Sequence, residues 1–216
     1  MIIKITLRDQ VRKHLQEQML KKKLCLDKRI SLVDISKALK VSVTPVREAL
    51  SQLEQAGIIG AIPNRGFFIP ALSIREAEEI YPIIAHMESA AVKNSRYTIK
   101  QLDKLRNIQL KFEKATKAEE LVNLDLAFHD ALIHPFDNHT VKRLLSDLKI
   151  RIFFYELIYM ESTSYLNRSV NQHDQIIDFI ATGHSWKASK LLLQNWYVSL
   201  EYIKEYLIKE DSSAHP

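Results

Sequence analysis

Val41-Ser-Val-Thr-Pro-Val-Arg-Glu-Ala-Leu50 is the stretch that decides the reading of this chain. Val46, Leu50 and then Leu53 recur at helical spacing, so the segment is a helix with one apolar face. Ser42 or Thr44 offers the side-chain oxygen that caps its start, and Pro45 fits a first turn because its missing N–H has no intrahelical acceptor to lose. Ala56-Gly57 ends the helix. Upstream, Ile35, Leu39 and Val41 mark the buried side of a shorter helix and the turn after it. Downstream, Ile58-Ile-Gly-Ala-Ile62 and Phe67-Phe-Ile69 are β-prone runs joined by Pro63-Asn-Arg-Gly66, a turn with a cation at its tip. Helix, turn, helix and ribbon in that order predict a winged helix-turn-helix.

Such a unit suits double-stranded DNA. A first turn carrying Ser42, Thr44 and Arg47 presents hydroxyls, backbone N–H groups and a cation together, which matches phosphates and base edges in a major groove. The ribbon tip is expected to enter the neighbouring minor groove. Charge is distributed accordingly: residues 1–72 hold 13 Lys plus Arg against 6 Asp plus Glu, a net of +7, whereas residues 73–216 carry a net of −2. A polyanion partner for the first third accounts for this excess, and its binding is expected to weaken steeply with salt. Lys21-Lys22-Lys23 reads as a solvated helix end.

With 216 residues, 46% of them apolar, the chain can bury one sizeable core or two modest ones. No apolar run approaches a membrane span and the start lacks a signal-peptide core, so the expectation is a soluble, cytoplasmic protein with no membrane partner. The one cysteine, Cys25, excludes an internal disulfide and suits a reducing compartment.

Three of the four glycines stand at 57, 60 and 66, and only Gly183 lies beyond. The remainder reads as helix. Ser73-Ile-Arg-Glu76 and Thr98-Ile-Lys-Gln101 are capping-box patterns that start helices over about 74–95 and 99–116. Others follow at about 118–133, from Asn138 to about Met160, from about 166 to Thr182, and from about 185 to 209. The expected fold is mainly α: a winged helix-turn-helix over 1–70, a linker at 71–73, and an antiparallel six-helix bundle over 74–216.

Asp125, Phe128, His129 and Leu132 share one helical face, which sets a carboxylate and an imidazole one turn apart on an otherwise apolar surface. His173 leads an apolar stripe with Ile176, Ile177 and Ile180, and Asn195 falls in another with Ala188 and Leu192. Inward-facing polar groups need partners, either one another in an ordinary core or a shared ion or ligand. Arg151 and Tyr155, one turn apart, point into the same cavity to hold an effector carboxylate or else serve a surface or dimer contact. His14, His86, His134, His139, His184 and His215 have no such setting.

The motifs together resemble the GntR family of transcription regulators, in its FadR branch with an FCD-type C-terminal domain. They are Asp34 to Leu50, the wing Pro63-Asn-Arg-Gly66, Leu124-Asp-Leu-Ala-Phe-His-Asp-Ala-Leu132, and His173-Asp-Gln-Ile-Ile-Asp-Phe-Ile-Ala-Thr-Gly183. The six-helix count is similar to the smaller, VanR-like subgroup. The resemblance implies a bacterial homodimer whose binding to operator DNA is modulated by a small-molecule effector such as an organic acid. The DNA-contact residues it implies are Ser42, Thr44, Arg47, Asn64, Arg65 and Gly66. For the helical domain it implies a divalent metal (zinc, nickel or manganese) on Asp125, His129 and His173, with the effector near Arg151, Tyr155 and Asn195.

Four departures from the family pattern stand out. Val33 and Val43 occupy positions where arginines are usual. A bidentate arginine–guanine contact is worth roughly 1–3 kcal/mol of discrimination, so the two valines imply a different operator or weaker binding. Asn195 replaces the last metal-binding histidine, and an amide oxygen is the poorer ligand for zinc-like ions. Ile84 stands where the first bundle helix usually carries an arginine. The competing class is a metal-dependent hydrolase or a metabolite-binding module built on Asp125, His129 and His173. The chain shows no nucleophile motif and no positioned general base, and either alternative leaves the basic winged helix unexplained. The expectation is a regulator and not an enzyme.

Overall fold

The computed structural model describes residues 6–20, 26, 28–63, 65–160 and 162–214. Asn64, the three lysines at 21–23, Cys25 and His215 lie outside the described residues. The chain divides into two compact units, Met1–Leu72 and Ser73–Pro216.

In the first unit, α1 spans Leu7–Leu20, α2 Leu32–Leu39 and α3 Val43–Gln55, followed by strands β1 at Gly60–Ile62 and β2 at Gly66–Phe68. The core is Val11, Leu15, Ile30, Ile35, Val46, Leu50, Leu53 and Ile58, the apolar positions of the helical pattern. The strands pair antiparallel with Gly60 opposite Phe68 and Ile62 opposite Gly66. A Cβ on Gly60 would come 2.4 Å from the Phe68 ring, so a side chain there would have to displace that ring. Helix α3 ends in a Schellman arrangement: Gly57, at φ 72°, donates to Glu54 O at 2.8 Å, and Ile58 donates to Leu53 O at 3.0 Å.

The start of α3 differs from the sequence expectation. Ser42 occupies the N-cap position, but its side chain makes no cap hydrogen bond. Proline supplies the reason. In α2 the Ser31 oxygen accepts from Asp34 N–H, three residues on, and every side-chain cap described in the chain uses the N–H at that same offset. In α3 that position is Pro45, which has no N–H.

The second unit is helical among its described residues: α4 Ile74–Lys93, α5 Ile99–Lys114, α6 Ala118–Ile133, α7 His139–Tyr159, α8 Thr163–Ala181 and α9 Ser185–Ala214. Thr98 and Gln101 form the expected reciprocal box at α5. At α4 only half of the box forms. Ser73 accepts from Glu76 N–H, while the Glu76 carboxylate turns to Arg151 and Tyr155. The Tyr155 hydroxyl takes the Ser73 N–H that Glu76 leaves, at 3.1 Å. No helix among the described residues is long and apolar enough to cross a membrane.

Ser31→Ala is expected to cost about 1 kcal/mol of stability, the usual worth of a cap, whereas Ser42→Ala costs none. Urea denaturation of the two variants checks the difference, and equal losses would mean that Ser42 caps α3 after all.

Candidate nucleic-acid interface and metal centre

Around the first turn of α3, Ser42, Thr44 and Arg47 are exposed. Arg65 is exposed on the ribbon, and Gly66 holds φ at 95°, a left-handed conformation that side chains resist. Among the described residues no carboxylate pairs with Arg47 or Arg65. Val33 and Val43 are 51% and 37% exposed, among the most exposed large apolar residues of the unit. Hydroxyls, main-chain donors and unpaired cations thus lie open to solvent, as an interface for phosphates and base edges requires.

In the second unit, Asp125 and His129 on α6 and His173 on α8 come together. One ligand atom from each lies within 4.8 Å of the others, and all three side chains are buried. His129 Nε2 is 3.8 Å from Asp125 Oδ2, and His173 Nε2 is 3.5 Å from Asp125 Oδ1. These separations are about those of ligands that share one ion at ~2.1 Å. The tautomers follow from the outer partners. His129 Nδ1 lies 2.7 Å from the Glu88 carboxylate, which can only accept, so Nδ1 carries a proton and Nε2 is the nitrogen turned to Asp125. Gln109 spends its amide hydrogens on Glu113 and Val170 O, which turns its oxygen to His173 Nδ1 at 3.2 Å. His173 Nε2 is then a buried lone pair with no hydrogen-bond partner. An orphaned imidazole nitrogen beside a carboxylate is the pattern a divalent cation satisfies. By contrast His86, His134, His139 and His184 are exposed.

Glu88, on α4, is the residue sequence reading missed. Its Oε2 accepts from His129 and from Trp196 Nε1, each at 2.7 Å, and its Oε1 is 2.6 Å from Lys149 Nζ. Lys149 also reaches Asp130 at 2.7 Å. Burial alone would raise the Glu88 carboxyl, but Lys149 and His129 outweigh it and hold it down at about 2. The signal was present: Glu88 falls on the buried stripe of α4 with Tyr81, Ile84, Ala85, Ala91 and Val92. Lys149 gives no such signal, because residues 149–156 of α7 are buried on every side and the helical period disappears.

The remaining expected residues are placed as follows. Asn195 is buried and donates to Gln172 Oε1 at 3.0 Å. Arg151 grips Glu76 with two bonds, 2.7 and 2.6 Å, and Tyr155 donates to the same carboxylate at 2.5 Å, so both are engaged at the start of α4. Ile84 is fully buried. Burial raises Asp125 to about 6. It pushes His173 well below the usual imidazole value, with the neighbouring His129 adding to the effect. Burial, then the Asp125 charge, raises Glu156 to about 8, and its Oε1 accepts from Tyr81 at 2.7 Å.

Known proteins share both units. The FCD domain pattern matches residues 79–196, and that of bacterial regulatory proteins of the gntR family matches residues 7–69. The Nta operon transcriptional regulator of Aminobacter aminovorans is 30% identical over 183 residues, covering 83% of this chain and 86% of its own. The HTH-type transcriptional regulator YdhC of Bacillus subtilis (strain 168) is 25% identical over 186 residues, 83% of each chain. The structure of E. coli McbR/YncC has a TM-score of 0.78 at 20% identity, over 94% of this chain and 100% of that one, which shows a shared fold.

Glu156 gives the helical unit a pH dependence. Its carboxyl titrates higher in the folded chain than in the unfolded one, so the neutral form's stability is fully present below about 4.5 and is lost as pH rises through about 8. Glu156→Gln, which keeps an acceptor for Tyr81, should therefore gain on the parent by roughly 1–3 kcal/mol between pH 5 and pH 8. Urea melts at the two pH values measure the gain, and a constant difference would show that Glu156 is ionised throughout.

Proposed function

This chain belongs to the GntR family of bacterial regulatory proteins, as a DNA-binding transcription regulator with an FCD domain, and we propose that it acts as a homodimer whose grip on operator DNA is set by a small organic acid bound in the helical unit. It is a regulator, not an enzyme. The carrying observation is the exposed and unpaired set around α3 and the wing, on the unit that bears the positive charge. In this reading Ser42, Thr44 and Arg47 meet the major groove, and Asn64, Arg65 and Gly66 the minor groove. Two winged helices of a dimer engage two half-sites related by two-fold symmetry. The DNA-binding domain covers 1–70 and the effector domain 74–216, joined by 71–73, and the protein works in the cytoplasm.

Asp125, His129 and His173 hold a divalent cation, zinc, nickel or manganese, in this proposal. The orphaned Nε2 of His173 supports it. With three protein ligands such an ion keeps open positions to which an effector carboxylate can bind. Asn195 is tied to Gln172 and contributes at most a weak fourth donor. Helix α7 is the feature that supports communication with the DNA-binding unit. Near its middle Lys149 holds Glu88, the partner of His129, and six residues on Tyr155 accepts from the main-chain N–H of Ser73, where the second unit begins. An effector that favours one position of α7 shifts the population of hinge conformations, and with it the spacing of the two winged helices.

Arg47→Ala and Arg65→Ala are each expected to weaken binding to a duplex selected from random DNA by about tenfold. The slope of log affinity against log salt should fall by about 1 for each phosphate contact removed. Fluorescence anisotropy across a salt series reads both, and two unchanged variants would remove this interface. For the metal, Asn195→His should raise the melting temperature in added zinc, nickel or manganese above that of the parent, by mass action, while His129→Ala should abolish the response. Melting curves with elemental analysis decide it, and three proteins indifferent to metal would leave the trio as an ordinary polar cluster.

A further inference from the structure

Arg29 belongs to no helix and to no motif, yet the structure holds it firmly. Ile30 N–H donates to Phe67 O at 2.8 Å, and Arg29 bridges antiparallel to Phe68, so the two residues lie along the outer edge of β2. Ile30 is buried, and strand alternation sends the neighbouring Arg29 side chain to the other, exposed face. There the Nε–Nη2 edge of the guanidinium is turned to Gly66, which leaves Nη1 directed away from the glycine. A Cβ placed on that glycine would be 3.3 Å from Arg29 Nε, 3.5 Å from Nη2 and 3.8 Å from Cζ. A side chain at Gly66 would meet both an unfavourable φ and the edge of this guanidinium.

Arg29 and Arg65 line one groove of the ribbon with Ile62, Gly66, Phe67 and Phe68. Among the described residues neither arginine has a carboxylate partner. Two like charges over one groove repel, and an anion from outside turns the arrangement into an attraction. A guanidinium suits a phosphate because its planar fork matches two oxygens at once. Held against the side of the ribbon, it is placed for the backbone that flanks a groove; base edges fall to the tip.

We propose that Arg29 is a DNA-contacting residue that, with Arg65, grips a backbone phosphate beside the groove entered by the wing. The assignment rests on the reading of the wing as a DNA contact, so its test carries Arg47→Ala as an independent reference on α3. The parent, Arg29→Ala, Arg29→Lys, Arg65→Ala and Arg47→Ala are titrated onto the selected duplex and onto an unrelated duplex, each across a salt series. Melting curves for every variant confirm the fold. Arg29→Ala should lose about five- to tenfold in affinity on both duplexes alike, with a salt slope smaller by about 1. Arg29→Lys, which keeps the charge without the fork, should restore the slope and part of the affinity. Combined with Arg65→Ala, Arg29→Ala should cost less than it does alone, since the two share one phosphate.

If Arg29→Ala keeps the parent's affinity and slope while Arg47→Ala loses both, this inference fails and the α3 interface stands. Loss of affinity in Arg29→Ala with an unchanged slope, or a loss that lysine does not relieve, makes Arg29 a brace for Gly66 and also overturns the inference. If no variant differs from the parent, the interface reading falls with it.

Discussion

Glu88 is wholly out of water and still ionised, which is possible only because other helices bring it donors: His129 from α6, Trp196 from α9 and Lys149 from α7. Stripping a carboxylate of water costs several kcal/mol, and removing one partner of a buried pair costs roughly 3–5 kcal/mol because the other is stranded. Apolar contacts among helices tolerate sliding by a fraction of a turn, whereas two hydrogen bonds and a close ion pair on one carboxylate do not. The relative placement of four helices is fixed at this point. So is the tautomer of His129, and with it the direction in which the Asp125, His129 and His173 centre presents its lone pairs. Fold and site share one interaction here and cannot be altered separately.

Helix α7 carries a second, half-buried ion pair. Lys149 faces Glu88, and two residues later Arg151 faces Glu76. Glu76 gives up its place in the capping box of α4 for that pair, and Tyr155 fills in with a hydroxyl that accepts from Ser73 N–H while donating to Glu76. The first turn of α4 therefore depends on α7 for a bond that such turns ordinarily make by themselves. A displacement of α7 is felt at Ser73 with no intervening loop to absorb it.

The sequence made the helices legible wherever one face is apolar and the start is marked. Ser73, Thr98 and Asn138 announce α4, α5 and α7, and Gly183 announces the end of α8. The trio at 125, 129 and 173 was legible too, because a polar residue on an apolar stripe is a visible contradiction. Glu88 is the same contradiction on α4 and was open to the same argument. Lys149 and Glu156 were not, since residues 149–156 of α7 are buried on all sides and its polar residues break no pattern. Arg29 was hidden for another reason: its role depends on a strand pairing with Phe68, 39 residues away, that no local period records. Pro45 was read as merely tolerated at the helix start. Its effect on Ser42 becomes visible only against the other caps, which share one offset.

That proline also bears on motion. The hydroxyl of Ser42 stays with water, and the opening turn of α3 is not tied down by a side chain as the opening turn of α2 is. Helix ends without such a tie open locally at small free-energy cost, far below that of global unfolding. The turn at the interface is therefore among the looser parts of its unit until something else meets its hydroxyl and N–H groups. Amide exchange there is set by fraying of that turn, and a bound partner slows it without any change in the core behind.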